Sequence, residues 1–179
     1  HAEWGAADAA RLPRLAQLVN KTNQFHLTTT RYSESELAKL ASSADAWGGW
    51  FSLRDRFGDH GIIAIPIVRL HGQVATIDTW AMSCRVFSRG MEDFTFVVIW
   101  NTARRLGCRW LEGRYVPSAK NGVVAGLYER LGGGLVATSS PERRWRFDLD
   151  GRLPFDLPFI VDDTSNEPPE DHTGANQAA

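Results

Sequence analysis

The stretch IDTWAMSCRVFSRGMEDF, beginning at Ile77, gathers side chains that could do chemistry. Ser88 and Gly90 stand in a loop immediately before a helical pattern. Free backbone N–H groups and the positive end of a helix dipole suit such a loop to an anion such as a phosphate. The same residues also describe an ordinary Ser N-cap with a permissive Gly beside it. Cys84 adjoins Arg85 near that helix start, a setting that lowers a thiol pKa and would serve a covalent acyl-enzyme, although no His is adjacent in sequence to act as its base. Asp78 and Glu112 lie on strands with apolar neighbours. Either could face a cleft as a base with a raised pKa, or cap a loop, or pair with Arg85 or Arg114. Asn20, Thr22, Asn23, Gln24 and Phe25 make a polar loop that is either exposed or lines a cleft. His26, His60 and His71 fall at turn positions and read as solvated; no His/Cys/Asp spacing resembles a zinc site, so no metal is expected.

The elements that must position these groups follow from periodicity. Leu12, Leu15, Ala16 and Val19 recur at helical spacing, with Pro13 tolerated in a first turn. The polar run NKTNQFHLTTTRY reads as a loop, because Asn and Thr side chains compete with helix hydrogen bonds. Ser33 and Glu36 form a capping box that starts a second helix, and residues 42–50 read as a small-residue connection. Three strands follow: one ending near Arg56, the run IIAIPIV, which Pro66 should bulge or place at an edge, and the alternating VATIDTWAM. Glu92 to Leu106 is a helix apolar on more than one face and therefore buried. RWLEGRYV is a strand; Val123, Val124, Leu127, Tyr128 and Leu131 share a helix face, which Gly132 to Gly134 stop; RRWRFDL is a last strand. The order is that of an α+β protein, a mixed sheet covered by helices.

Composition bounds the rest. The chain has 179 residues, 43% hydrophobic and 23% charged, with 20 Lys+Arg against 21 Asp+Glu, the balance of one soluble globular domain. A net charge of -1 gives no electrostatic surplus for phosphate backbones or anionic lipid, so neither nucleic acid nor membrane is an expected partner. No apolar run is long enough for a membrane helix and no signal peptide opens the chain, so the reading is cytoplasmic, with Cys84 and Cys108 as reduced thiols. A first residue of His rather than Met suggests a tag remnant or a piece of something longer. Residues 1–10 are expected to be flexible, 11–160 to form the domain, and 161–179 to be a disordered acidic tail.

The element order, the Arg89-Gly90 loop and the later Asn121…Tyr128…Leu131-Gly132 stretch resemble the GNAT acyltransferase fold. More closely, NKTNQFHLTTTRYSESEL, RDRFGDHGI, IDTWAMSCRVFSRGMED and VPSAKNGVVAGLYERLG resemble the C-terminal GNAT-like domain of FkbH-like proteins, over roughly residues 11–150. In those proteins the domain usually follows a HAD-like domain that loads glyceryl units onto acyl carrier proteins. That HAD-like half, with its Asp-x-Asp-x-Thr motif, is absent from this sequence.

The resemblance implies a mainly antiparallel mixed sheet with a splayed pair of central strands. It implies a pantetheine arm flanked by Met82, Ser83, Cys84 and Arg85, with phosphate on Ser88, Arg89, Gly90 and Met91 and with Asn121 nearby. Tyr128 resembles the GNAT tyrosine that protonates the departing thiolate; it could equally be an aromatic on a core face with Val124 and Leu131. The Asn20–Phe25 loop, with Trp80, would line the acceptor cleft, and direct transfer would displace the covalent route through Cys84.

The GNAT loop pattern Gln/Arg-x-x-Gly-x-Gly/Ala, laid on Phe87 to Glu92, loses its first and last positions. Glu92 would satisfy the helix N-terminus internally and repel a pyrophosphate. The expected donor is therefore a phosphopantetheine thioester on an acyl carrier protein, with Arg85 and Arg89 on its single phosphate. Acyl-CoA is the alternative donor and a non-catalytic carrier-docking domain the alternative role. The acceptor is a small-molecule amine or hydroxyl in natural-product assembly.

Overall fold

Strands of apolar and alternating residues form a single sheet, in a chain that a computed structural model describes over residues 1–153. The expected tail at 161–179 lies outside the described residues. The strands are β1 (Ala2–Ala6), β2 (Phe25–His26), β3 (Ala46–Asp55), β4 (Gly58–His71), β5 (Val74–Met82), β6 (Trp110–Tyr115), β7 (Gly134–Ser139) and β8 (Glu142–Asp148). The α-helices are α1 (Leu12–Lys21), α2 (Glu34–Ala41), α3 (Met91–Arg105) and a single turn, α4 (Leu127–Arg130). The sheet runs β1-β3-β4-β5-β6-β8-β7, with β2 attached to β5 off that path. Among the described residues only the β5–β6 pairing is parallel; α3 makes the crossover between them. The mixed, mainly antiparallel architecture is the one expected.

Two apolar layers hold the helices to opposite faces. Leu12, Leu15, Leu18 and Val19 of α1 and Leu37 and Leu40 of α2 pack on Trp50, Ile65, Ile67 and Ala81. On the other face Phe94, Phe96, Ile99 and Trp100 of α3 pack among Phe51, Ile77, Trp80, Leu111 and Phe147. The capping box of α2 forms as read: Ser33 Oγ accepts from Glu36 N at 3.3 Å while Glu36 Oε2 accepts from Ser33 N at 2.7 Å.

Several expectations are corrected. Residues 1–10 are not a free segment: Ala2 to Ala6 pair with Gly49 to Leu53 of β3, Ala2 is buried, and Trp4 stacks on Phe51 at 6.4 Å. An edge strand of Ala and Gly carries almost no periodic signal, which is why composition suggested fraying. The connection at 42–50 is half strand, since β3 begins at Ala46. Pro66 sits in β4, which is paired on both sides, rather than at an edge, with a register shift one residue on, between Ile67 and Val68. The long helix expected after Asn121 is instead a 3₁₀ turn, Gly122–Val124, followed by α4. β7 is exposed throughout and so lacks the alternation that marks β8.

Gly113, the last residue of β6 paired to β5, lies against the Tyr128 ring: a Cβ there would come within 2.4 Å of the ring. Gly113→Ala should therefore destabilise by about 1–3 kcal/mol, the usual cost of overpacking a filled core, read as a lower melting temperature and urea midpoint. An unchanged midpoint would mean that Tyr128 moves aside freely.

Candidate active site where two central strands diverge

β5 and β6 pair from Val74/Trp110 to Ile77/Gly113 and then part. The cause is local. Against β4, Val68 pairs with Ile77 and Ile67 with Thr79, leaving Asp78 as an extra residue in β5. Such a bulge bends the strand that carries it. The splayed pair of central strands is thus present, yet the chain itself fills its mouth. Phe25 and His26 pair with Met82 and Ala81 on the edge of β5 that β6 has left. Leu27 N donates to Trp80 O at 3.1 Å, and Val116 N, just past β6, donates to Leu27 O at 2.8 Å. Thr28 Oγ1 adds a bond to Asp78 O at 2.9 Å. A segment read as a loop is therefore a short strand joined to both arms of the opening.

Asn121 clamps it. Its Nδ2 donates to His26 O at 2.8 Å and Val116 O at 2.9 Å, while Oδ1 accepts from Ser118 N at 2.7 Å and the Tyr115 hydroxyl at 3.1 Å. Its amide is fully used, so Asn121 holds backbone rather than cofactor. His26 is wholly buried, contrary to the solvated reading: Nδ1 accepts from Thr29 N at 2.9 Å and Nε2 finds no partner. Burial first, and the Arg31 charge second, lower its pKa to about 4.

The expected phosphate loop is tied off from within. Ser88 is not the α3 cap; Gly90 occupies that position, at φ 77° and with no side-chain capping bond. The Ser88 amide, itself at φ 58°, donates to Glu92 Oε1 at 3.1 Å, as the carboxylate at that position implied. The Arg89 guanidinium turns to Asp55 on the β3–β4 hairpin, with His60 Nε2 at 3.3 Å. Met91 is core. Ser83, Cys84 and Arg85 form the chain's turn out of β5, where Cys84 is exposed and Arg85 Nε donates to Ser83 Oγ at 3.3 Å.

Both candidate bases are already engaged. Asp78 accepts from the Tyr32 hydroxyl on one oxygen and from Arg114 on the other. Arg114 also grips Glu142 through two bonds, at 3.1 and 2.8 Å. Arg114 first, with help from Arg144, pulls the Glu142 pKa down to about 2. Glu112 accepts from Arg146 Nε at 3.0 Å and lies 3.9 Å from Arg144. The pairing alternative holds for Asp78 with Arg114, one of the two partners expected; Glu112 is paired too, but with Arg146, which was not among them. An arginine-bound carboxylate is a poor base.

Tyr128 is also buried, and its hydroxyl, whose nearest polar neighbour is the Arg114 backbone, makes no well-formed hydrogen bond. Burial raises its pKa well above that of a free phenol. Its ring packs on Trp145 at 5.6 Å, so the core-face reading is right about the ring and leaves the hydroxyl unexplained.

Two cavities flank the plugged opening, and Phe25 lines both. The larger, about 780 Å³, is bounded by Arg14, Gln17 and Lys21 of α1, Thr22 to Phe25, Ser83 to Arg85, and Lys120. The smaller, about 220 Å³, is bounded by Phe87, Ser88, Glu92, Val124, Leu127 and Arg130. Thr22, Asn23, Gln24 and Phe25 thus meet Ser83, Cys84 and Arg85 in one cavity, whereas Asn20 bonds Tyr32 O and Ala16 O outside it. Trp80 and Met82 line neither; Trp80 is core, 5.5 Å from Phe25 and stacked on Phe96 at 6.5 Å. Among the described residues no histidine lines the cavity that holds Cys84. Sequence reading missed Arg14, Gln17, Lys21 and Lys120, although the first three fall at i, i+3 and i+7 on α1 and so share a face. Among the described residues no helix is long and apolar enough to cross a membrane.

No family model and no curated protein matches this chain. Its fold has clear counterparts among solved structures. The ribosomal-protein-S18-alanine N-acetyltransferase from Escherichia coli superposes with TM-score 0.64 at 13% identity over 83% of this chain and 94% of that one. The GNAT domain of S. lividans PAT gives 0.65 at 14% identity over 81% and 89%. The N-acetyltransferase from Staphylococcus aureus Mu50 gives 0.62 at 13% over 84% and 99%. The fold is the GNAT fold.

His26 gives the plug a pH dependence. Folded His26 takes a proton only near pH 4, whereas in the unfolded chain it does so near 6.5, so stability is full above 6.5 and declines as pH falls. The total loss is about 3 kcal/mol. Melting temperature should drop between pH 6.5 and 4.5, above the range where shifted carboxylates such as Glu142 titrate, and His26→Gln should flatten that limb. A wild-type curve level across this interval would refute the assignment.

Proposed function

We propose that this chain is an acyltransferase that moves an acyl group from a phosphopantetheine thioester, carried on an acyl carrier protein, to a small amine or hydroxyl acceptor. The observation that carries the choice of donor is the Ser88 amide already held by Glu92. A coenzyme A pyrophosphate would have to break that bond and sit beside a carboxylate, whereas a carrier-bound arm brings one phosphodiester and no adenosine diphosphate. That phosphate would sit in the smaller cavity beside Arg130, whose guanidinium it would share with Asp93. The thioester would then pass Phe25 toward the larger cavity, where the acceptor waits.

In this reading Tyr128 supplies the proton. A departing thiolate with a conjugate acid near pKa 8.5 needs only modest help, and a phenol whose own pKa is raised stays in its donating form at every working pH. An unpartnered buried hydroxyl is costly, about 1–3 kcal/mol, and so fits a group kept for a ligand rather than for the fold. Asp78 and Glu112, being arginine-bound, are left to position the sheet. The acceptor amine or hydroxyl must then lose its proton to water or to a group brought by the substrate.

A second reading has its own support. Because β2 occupies the β5 edge that a pantetheine arm would pair with, a chain that only docks carrier proteins is also consistent with the fold. Hydrogen exchange separates the two. Acyl transfer requires the Leu27 and Val116 amides to lose protection when an acyl carrier thioester is added, and docking leaves them protected.

Tyr128→Phe should lower kcat and kcat/KM together by about 10²–10⁴-fold, since the hydroxyl acts only as charge develops on sulfur. The melting temperature should hold or rise, because an unsatisfied buried group is removed. Cys84→Ala should keep substantial turnover; a dead Cys84→Ala beside an active Tyr128→Phe would make the thiol the nucleophile. Glu92→Gly should partly restore use of acyl-CoA, and equal kcat/KM for carrier and CoA thioesters in the unaltered chain would end the donor assignment.

A further inference from the structure

The larger cavity carries a charge pattern that the reaction as described does not need. Arg14 and Lys21 come from α1, Arg85 from the turn after β5 and Lys120 from the loop after β6, so three separate segments bring basic residues to the lining of one space; among the described residues no Asp or Glu lines it. Around the rest of the sheet several arginines hold carboxylates: Arg89 holds Asp55, Arg114 holds Asp78 and Glu142, and Arg130 holds Asp93. Among the described residues these four basic residues pair with no carboxylate. Arg14 bonds the neutral Gln17 carbonyl and lies 3.4 Å from Ile62 O, and Arg85 bonds the Ser83 hydroxyl. In a chain of net charge -1 this is a local excess, and like charges turned into a shared recess repel one another until an anion enters.

The wall is also built in advance. Arg31 fastens the 19–23 backbone by donating to Val19 O, to Thr22 O at 2.8 Å and to Asn23 Oδ1 at 2.6 Å, and Asn23 Nδ2 adds a bond to Lys21 O at 3.4 Å, so the Lys21–Asn23 segment is fixed in shape.

Resting on the acyl-transfer reading above, we infer that the acceptor carries an anionic group, a carboxylate or a phosphate, and that Arg14, Lys21, Arg85 and Lys120 bind it. The acceptor is preferred to the donor as the source of that anion because the donor phosphate belongs beside Ser88 and Arg130, in the other cavity, and Phe25 stands in the wall between the two. An amino acid or a phosphorylated amine or alcohol has the required form: a nucleophile at one end and an anion at the other.

The test uses the intact chain and the variant Lys21→Glu/Lys120→Glu, whose altered residues are exposed. The first arm compares melting temperatures in millimolar inorganic phosphate and citrate with chloride at equal ionic strength. The expected result is a rise for the native chain that the double variant loses, with both melting alike in chloride. No rise over chloride, or an equal rise in both proteins, overturns the inference.

The second arm compares 4′-phosphopantetheine with pantetheine. If the phosphate-dependent part of binding vanishes in the double variant, the cavity serves the donor and the acceptor assignment is overturned; if it persists, the assignment is supported. The third arm measures acyl transfer to a carboxylate-bearing amine and to its methyl amide, where kcat/KM for the acid should fall about tenfold or more in the variant while the amide changes little. Transfer indifferent to acceptor charge overturns the anion inference and leaves acyl transfer standing. Anion-dependent stabilisation with no transfer from any thioester supports the anion site and removes the acyl-transfer reading.

Discussion

The parting of β5 and β6 beyond Ile77 and Gly113 is the constraint on which the rest of the molecule turns. One extra residue, Asp78, opens the sheet; a glycine at 113 lets the Tyr128 ring close against the start of the gap. Exposed strand edges are costly when buried, because each leaves backbone donors and acceptors without partners. The chain answers with its own backbone. Phe25 to Thr28 satisfies the carbonyls of Trp80 and Asp78 and the amide of Val116, and Asn121 closes the remaining His26 and Val116 carbonyls. Sheet opening, plug and clamp form one hydrogen-bonded unit, whose members come from three distant parts of the sequence, around residues 25–28, 77–82 and 113–121.

Charge is organised around the same opening. On one side Asp78, Arg114 and Glu142 form a continuous set of ion pairs that Tyr32 extends from the segment leading into α2, and Glu112 with Arg146 continues the pattern on β6 and β8. These groups neutralise one another and fix the angle between strands. On the other side, at the larger cavity, cations stand without carboxylates. A nearly neutral chain has thus separated its charges into a structural set and an available set.

Much of this could be read from residue order, and what escaped has a common cause. The capping box at Ser33, the buried character of α3 and the internal satisfaction of the α3 start by Glu92 depend on residues a few positions apart, so local spacing reveals them. β1 and β7 escaped notice or were read as flexible because edge strands of small or exposed residues have no apolar alternation to display. His26 was read as solvated because its polar neighbours describe a loop, while the contacts that bury it come from Trp80, Val116 and Asn121, more than fifty residues away. The candidate site divides in the same way. Ser83 to Arg85 and Thr22 to Phe25 converge as a shared cavity, but Asp78, Glu112 and Asn121 were chosen for their chemical types, and long-range arginine and backbone partners decide what those groups can do.

A plugged opening and a catalytic one are energetically closer than the geometry first suggests. Withdrawing Phe25 to Leu27 breaks three of the named hydrogen bonds, those of Leu27 N, Leu27 O and His26 O, each worth about 1 kcal/mol net. It also uncovers the Phe25 ring, at about 1.5–3 kcal/mol. A pantetheine arm carries two amides of its own, which can take over two of those bonds, and an apolar acyl chain can cover part of the surface that Phe25 leaves. The net cost is then about 2–4 kcal/mol, a reduction in apparent affinity of roughly 30- to 10³-fold. Free coenzyme A at low concentration would struggle against such a penalty. An arm delivered by a docked carrier protein meets the opening at an effective concentration near millimolar, which offsets a penalty of that size. On the proposed reading, the internal strand therefore favours the same carrier-borne donor that the Glu92–Ser88 bond favours, from a different place in the fold and for a different physical reason.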